Sequence, residues 1–506
     1  MPALIVGRPG LVLAAVLVLH FLVWWLVPVW FNPNLPGDML ESLAWGAEWQ
    51  WGYHKHPPLA PWMLAAARHL DPGADWPLYL LSPLCVTIAF WALWRLARDF
   101  VDVPRALIAV LLLEGVYYHN FTTPEFNPNV VLLPLWALTM LCFWRAIDRD
   151  SLGAWLLCGL FAALGLLGKY FTLFLIAPMV LLLLTPAFRP LLLRPGPYLA
   201  AAVGLLVLAP HVLWALDADF ATIGYALKRA GVEAESWLVE HIVRPLRFLV
   251  GQLAVLVPVV LLVFVLGRPR LVRTAAPRRD AFLLALGLGP FVLVFVVAIL
   301  FGFRLKAMWG TPLLLLSGLM IVAWLPPVIE PARLRRFAWA WGFIFCLAPL
   351  AYVGMVVAQP YVLDRAKKVH LPGQALADRL TETWHARFET PLPIVIGHTW
   401  EGGSLAHYAV DAPSLYILGD PDQSPWLDDA TVARRGAVAV WIQDAAGAPA
   451  DGERARVQTG VMERFPCAER QPDLTLAWQT KADLPPVSIG WTLVPPAEVC
   501  DQMAAQ

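Results

Sequence analysis

Runs of apolar residues recur along the first 360 residues of this chain. Each is long enough to approach the roughly 30 Å of a bilayer's hydrocarbon. They fall near 9–30, 76–98, 104–119, 128–147, 152–168, 170–185, 196–216, 246–266, 280–301, 307–325 and 335–358, and they predict eleven membrane-spanning helices. Several contain Pro or Gly, which membrane helices tolerate because their neighbours re-satisfy the freed backbone groups. The first run has no small-x-small cleavage site and carries Trp24, Trp25 and Trp30, so it reads as a first span rather than a signal peptide. Beyond about residue 360 the period changes. Short β-rich runs at 393–397, 414–419, 437–442 and 488–494 alternate with a helical pattern at 373–388. The expected architecture is mostly α. A polytopic helical domain covers 1–359, with loops 31–75 and 217–245 on its outer side, and a small α/β domain covers 360–506.

Composition supports the membrane assignment. Of 506 residues, 59% are hydrophobic and only 15% charged, against about 45–50% and 25% in soluble domains. Formal net charge is zero, so bulk charge names no partner. No basic tail or aromatic–basic interleaving points to nucleic acid. Charge placement says more. Sixteen arginines and no lysine occupy the loops at 8, 95–105, 145–149, 189–194, 268–279 and 333–336. The positive-inside rule makes that face cytoplasmic, with the N-terminus inside and residues 360–506 outside. On the outer face basic residues stand in motifs: Lys55, Lys169, Lys228, Arg229, Arg304 and Lys306. An anionic outer ligand accounts for them; the competing account is snorkelling to headgroups. Cys85, Cys142, Cys158 and Cys346 fall within spans and read as small core residues. Cys467 and Cys500 could pair if their domain faces an oxidising compartment.

The densest polar chemistry lies at 36–62, PGDMLESLAWGAEWQWGYHKHPPLAPW, just after the first span. With residues 38–50 helical, Asp38, Glu41, Trp45 and Glu48 share a face. Two carboxylates one turn apart can divide roles, one as general base or substrate anchor and one holding it. They can equally form a capping pair at a helix start. Lys55 stands between His54 and His56, ahead of Pro57-Pro58, which fixes the backbone and begins the next helix. A lysine so held suits a phosphate, with a charge-assisted hydrogen bond of about 1.5–3 kcal/mol. Trp45, Trp49, Trp51 and Trp62 fit an interfacial belt, a lipid-tail groove or a sugar platform. A sugar leaving from a phosphate builds negative charge there, and fixed cations aimed at it lower the barrier. An incoming hydroxyl needs a base.

Asp-x-x-Glu after the first span, then Gly-Tyr-x-Lys-His-Pro-Pro-Leu-x-x-Trp, resembles the bacterial dolichyl-phosphomannose protein mannosyltransferase-like family of the GT-C superfamily. That family includes lipid A aminoarabinose transferases and rhizobial lipopolysaccharide galacturonosyltransferases. Asn127-x-Asn129 and Leu-Leu-Gly-Lys-Tyr at 166–170 are most similar to the galacturonosyltransferase type. The resemblance covers residues 1–360. It implies a bacterial inner-membrane enzyme with an outer-face site, a polyprenyl-phosphate sugar donor and inverting stereochemistry. It implies Asp38 as base or acceptor-positioning carboxylate, with Glu41 beside it. Lys55, with His56, then holds the donor phosphate, and Lys169, Arg304 and Lys306 contact the same phosphate. Relatives carry an aspartate in the second outer loop. Here that loop reads YYHNFTTPEFNPN, which leaves Glu125, His119 and Asn127 as candidates for a second acidic or acceptor position.

The expected function is transfer of one sugar from a polyprenyl-phosphate carrier to a lipid A or lipopolysaccharide-core acceptor. A protein O-mannosyltransferase is the alternative within the class, and a non-catalytic flippase the alternative outside it. A flippase calls for polar residues along an intramembrane path, whereas these charges gather at the outer ends of spans. Loop 217–245 reads as an acceptor gate or an amphipathic surface helix. No cofactor is demanded, although Asp38 and Glu41 could share a divalent cation. The partners expected are the lipid-linked donor, a lipid or glycan acceptor and membrane lipids.

Overall fold

A computed structural model describes residues 2–230, 236–272 and 276–504. Residues 231–235 of loop 217–245 and Arg273 lie outside the described residues. The chain forms two units. The first holds Met1–Val27, Lys55–Leu59 and Leu80–Tyr352; the second holds Pro28–His54, Ala60–Tyr79 and Val353–Gln506. The long first loop is thus shared, with Lys55–Leu59 in one unit and most of the rest in the other.

Every apolar run becomes helical. Six helices are long and apolar enough to cross a membrane: Pro9–Phe31, Trp76–Ala97, Pro128–Arg149, Pro195–Asp217, Pro277–Phe301 and Pro331–Val357. Two bent pairs, Val239–Val255 with Val257–Leu266 and Ala307–Leu314 with Ser317–Trp324, raise the total to eight if each is one span. The other three expected spans are the shorter apolar helices Val103–Leu113, Leu152–Gly168 and Tyr170–Leu184. At 1.5 Å per residue the 11 residues of Val103–Leu113 are shorter than a bilayer as a helix alone, and the run expected over 104–119 goes on to the 3₁₀ turn Tyr117–His119.

Burial separates the core of the first unit from its rim. Pro128–Arg149 is 83% buried over its apolar window and Pro195–Asp217 only 11%. The latter exposes Leu205, Leu206 and Leu213, an apolar surface that calls for hydrocarbon rather than water. The same logic corrects Cys346. Cys85, Cys142 and Cys158 are buried, but Cys346 is exposed because its helix, Pro331–Val357, lies at the rim. One polar pair is sealed inside: His20 Nδ1 meets Glu114 Oε1 at 2.9 Å.

In the second unit the expected β runs form one mixed sheet. Its strands are β1 (Ile394–Gly397), β2 (Ser414–Ile417), β3 (Ala437–Ile442), β4 (Glu469–Arg470), β5 (Leu474–Leu476) and β6 (Val487–Val494). The order is β2-β1-β3-β6-β4, with β5 also on β6. β1 is parallel to β2 and β3, while β6 is antiparallel to β3. Alternate residues face opposite sides. Val395, Leu415, Val438 and Val440 pack with helix Gly373–His385, whereas Ile394, Ile396, Ala439 and Trp441 pack with Val457 and Val461 of helix Gly452–Arg464. Helices therefore cover both faces. The first of these cores also takes in Trp45 and Tyr53. Cys467 and Cys500 form a disulfide with Cα atoms 5.7 Å apart.

Candidate active site

In the first unit the cations are set by side chains far away in sequence. Leu152–Gly168 ends at Lys169, whose backbone is extended. Its ammonium donates to Asn129 Oδ1 at 2.7 Å and lies 5.2 Å from the Trp309 ring and 5.9 Å from that of Phe171, both within reach of cation–π attraction. Asn129 Nδ2 donates in turn to Asn127 Oδ1 at 2.9 Å, and Asn127 Nδ2 to the Glu125 carbonyl at 2.8 Å. A polar chain therefore runs from Lys169 to the second outer loop.

Arg304 and Lys306 lie in the extended stretch after Pro277–Phe301, which closes at Gly302 with φ +66°. A short 3₁₀ turn, Ala307–Gly310, follows, and Trp309 N–H bonds the Lys306 carbonyl. Trp309, against Lys169, is thus one turn from Lys306. The turn is pinned at Ala307, whose carbonyl accepts from Tyr118 Oη at 2.6 Å and Gln252 Nε2 at 3.2 Å. Lys55 belongs to the same unit, and its ammonium lies 5.8 Å from the Tyr225 ring. Tyr225 sits on helix Ala221–Ala230, one turn from buried Thr222, which is hydrogen-bonded to Tyr170 beside Lys169. Tyr170 Oη also meets His211 Nε2 at 2.7 Å. His56 is half-buried beside Lys55.

Two of the second-loop candidates have structural work. His119 is fully buried and meets the Leu113 carbonyl at 3.2 Å, so it packs the loop rather than facing a substrate. Asn127 caps Pro128–Arg149, accepting from Asn129 N–H at 2.9 Å. Glu125 is half-buried.

In the second unit Asp38 and Glu41 are half-buried on helix Gly37–Gly46. The N-cap is Pro36, without a side-chain cap bond, so Asp38 lies in the first turn rather than capping it. The helix stops at Gly46, four residues short of the expected end, because Trp49 takes φ +44° in the turn that follows. Glu48 therefore leaves the shared face. Its carboxyl is pushed up by burial, and pulled back by a Ser414 hydrogen bond and by Arg435. The tryptophans divide: Trp45 is buried and stacks on Tyr53 at 5.7 Å, while exposed Trp49 and Trp51 surround Trp62 at 6.0 and 4.9 Å. Among the described residues no group of three or more His, Cys, Asp or Glu is placed to hold a metal ion.

A family model described as dolichyl-phosphate-mannose-protein mannosyltransferase matches residues 55–214. The chain is 26% identical over 352 residues to the lipid A galacturonosyltransferase RgtD of Rhizobium johnstonii, covering 68% of this chain and 71% of that one. It is 29% identical over 194 residues to an undecaprenyl phosphate-alpha-4-amino-4-deoxy-L-arabinose arabinosyl transferase of Pseudomonas fluorescens, covering 34% and 32%. The crystal structure of ArnT from Cupriavidus metallidurans bound to undecaprenyl phosphate superposes over 96% of this chain and 98% of that one, with TM-score 0.59 and 12% identity. That likeness is one of fold. The family model and these relatives are GT-C glycosyltransferases, and the chain resembles them. The protein is a polytopic membrane glycosyltransferase. Its matched segment opens on Lys55 and runs through Asn129, Lys169 and His211, while Asp38, Glu41, Arg304 and Lys306 lie outside it. Asn129, Trp309 and Tyr225 were not legible as site residues; only the Asn-Pro-Asn spacing at 127–129 hinted at the first.

Proposed function

We propose that the protein transfers one sugar, with inversion, from a polyprenyl-phosphate carrier to a lipid A or lipopolysaccharide-core acceptor. The observation that carries this is the seating of Lys169 by Asn129 against Trp309, one turn from Lys306. Two distant stretches that each carry basic residues meet there, which suits a leaving phosphate. The bond between the anomeric carbon and the phosphate oxygen breaks. Its electrons go to the phosphate, which Lys55, His56, Lys169, Arg304 and Lys306 neutralise. The acceptor hydroxyl attacks from the opposite side, which inverts the centre, and gives its proton to Asp38. Glu41, one turn along, orients Asp38 or the acceptor. Glu125 is the acid left for a second acceptor contact. Names of relatives support the substrates: RgtD is a lipid A galacturonosyltransferase, and the arabinosyl transferase carries undecaprenyl phosphate in its name.

The orientation belongs to the same reading. The arginine-rich loops face the cytoplasm with the N-terminus, and the C-terminal residues face the periplasm, where the Cys467–Cys500 disulfide is chemically at home. The description of the matched family also favours a second reading, protein O-mannosylation. Purified protein offered polyprenyl-phosphate galacturonate, aminoarabinose or mannose, with lipid A or a serine-rich peptide, separates the two by the product's mass. The primary reading expects a modified lipid; modification of the peptide alone overturns it. No cofactor is required, and a rate that EDTA removes and Mg²⁺ or Mn²⁺ restores would instead assign a cation to Asp38 and Glu41.

A further inference from the structure

In the second unit the connection leaving β1 runs to β2, and the chain leaving β3 runs through helix Gly452–Arg464 to β4, beyond β6 on the other side. These connections part at the carboxyl ends of β1 and β3. Open α/β sheets bind ligands at such a switch point. His398 and Glu401 follow β1; Asp451, Glu453 and Arg454 follow β3. Arg454 donates to both oxygens of fully buried Glu401, from Nε at 2.7 Å and Nη2 at 2.8 Å, and also pairs with Asp451. His398 stands 3.7 Å from Glu401 and 3.6 Å from Glu453, whose side chain is 51% exposed. A buried ion pair is weak as a source of stability. Here it forms a rigid floor under an accessible imidazole and carboxylate.

The rim is aromatic and cationic. Trp400 Nε1 donates to the Lys368 carbonyl at 3.1 Å, and the exposed Lys368 ammonium lies 5.7 Å from the Trp400 ring. Trp478 lies near-parallel to Trp400 at 6.5 Å and 19°. Lys368 also adjoins the start of the Asp38 helix: a Cβ on Gly37 would sit 3.9 Å from its Nζ. Helix Glu401–Tyr408 packs on that helix, where a Cβ on Gly403 would meet Leu40 at 3.3 Å. The cluster, its rim and Asp38 thus belong to one unit.

We infer that this cluster binds the acceptor as an anionic saccharide, an inference that rests on the reading of Asp38 as the acceptor-side base. The Trp400–Trp478 pair offers indole surface to pyranose C–H faces, His398 and Glu453 take hydroxyls, and Lys368 takes a phosphate or carboxylate substituent. An apolar aromatic wall with a few placed polar groups is the general make-up of such sites. The competing account is a clamp that only fastens helix Glu401–Tyr408 to helix Gly452–Arg464.

The test is donor-free titration of the purified full-length protein with deacylated lipopolysaccharide oligosaccharide, followed by calorimetry, in three forms: phosphorylated, dephosphorylated, and dephosphorylated but carrying uronate. Glu453→Gln is expected to weaken all three about tenfold. Lys368→Ala is expected to weaken by a similar factor only the forms whose anion it meets, which distinguishes phosphate from carboxylate. Both variants should keep the wild-type melting point, which a clamp role for Glu453 would not allow. Wild-type protein that does not bind, or variants that bind as wild type, overturn the site. Transfer is scored separately. Binding without any donor consumption sinks the glycosyl-transfer reading but leaves the site. Transfer with unchanged acceptor KM in both variants leaves that reading and sinks the site.

Discussion

Lys169 shows how one residue acquires a role from its surroundings. A boundary lysine is ordinarily free to snorkel; this one is held by Asn129 at 2.7 Å and by the Trp309 ring. Lys169→Met keeps the apolar stem and removes the charge. If the ammonium meets the donor phosphate, the loss is a charge-assisted bond of about 1.5–3 kcal/mol, or roughly a 10- to 150-fold fall in donor kcat/KM, with acceptor KM little changed. Steady-state kinetics with varied donor checks this. Glu48 makes a prediction of a different kind. Burial raises its pKa above the ordinary 4.5. As pH rises past that value the unfolded chain releases the proton while the folded chain still binds it, so stability falls with rising pH. Glu48→Gln should therefore raise the melting temperature near pH 7, with a smaller gain near pH 4, in thermal scans at both values. Asp38 and Lys55 were proposed from the sequence because they stand in a contiguous motif. Asn129 and Trp309 were not, because Asn129 is 40 positions from its lysine and no local pattern records that pairing. His119 is a polar loop residue that looked available in sequence, yet it is fully buried with Nδ1 against the Leu113 carbonyl at the end of the preceding helix.

Among elements, the stretch 302–312 is fixed by close approach. A Cβ on Gly310 would come within 1.8 Å of Gln252 Oε1, and buried Gln252 bonds both the Ala307 carbonyl and Tyr118 Oη. Gly310→Ala must move that side chain and loosen the turn carrying Trp309. The expected result is a melting point lowered by about 1–3 kcal/mol of destabilisation and a donor KM raised more than acceptor KM. An unchanged donor KM would detach the turn from the phosphate site. Element types were marked in part: the apolar runs before residue 360 gave helices, and after it the β runs and the helix at 373–388 showed, while helices Glu401–Tyr408, Asp429–Arg435 and Gly452–Arg464 did not. Element ends were not marked. Helix Gly37–Gly46 stops early at a turn held by Gln50 N–H to Tyr53 Oη and Trp62 Nε1 to the Gln50 carbonyl, contacts that need the folded loop. Nor does an apolar run disclose a bend, such as the 41° break in Val239–Leu266 or the 48° break in Ala307–Trp324.

For the whole molecule, the arginine asymmetry and the disulfide make a joint prediction about sidedness. Cys467 and Cys500 in intact spheroplasts should react with a membrane-impermeant maleimide only after reduction, and then without permeabilisation. Labelling that requires permeabilised membranes would reverse the proposed orientation. The division of the first loop was the least legible feature at this scale. Trp45 fits an interfacial belt in sequence, but it packs in one core with Leu380, Trp384 and Leu405, more than three hundred positions later. The central claim is that Asp38 acts on the acceptor and Lys55 on the donor phosphate of one glycosyl transfer. The most direct measurement is single-turnover transfer from a polyprenyl-phosphate sugar to lipid A by purified wild-type, Asp38→Asn and Lys55→Ala proteins of matched melting temperature. The account predicts rates lowered by about 10²–10³ or more in both variants; full transfer by both would contradict it.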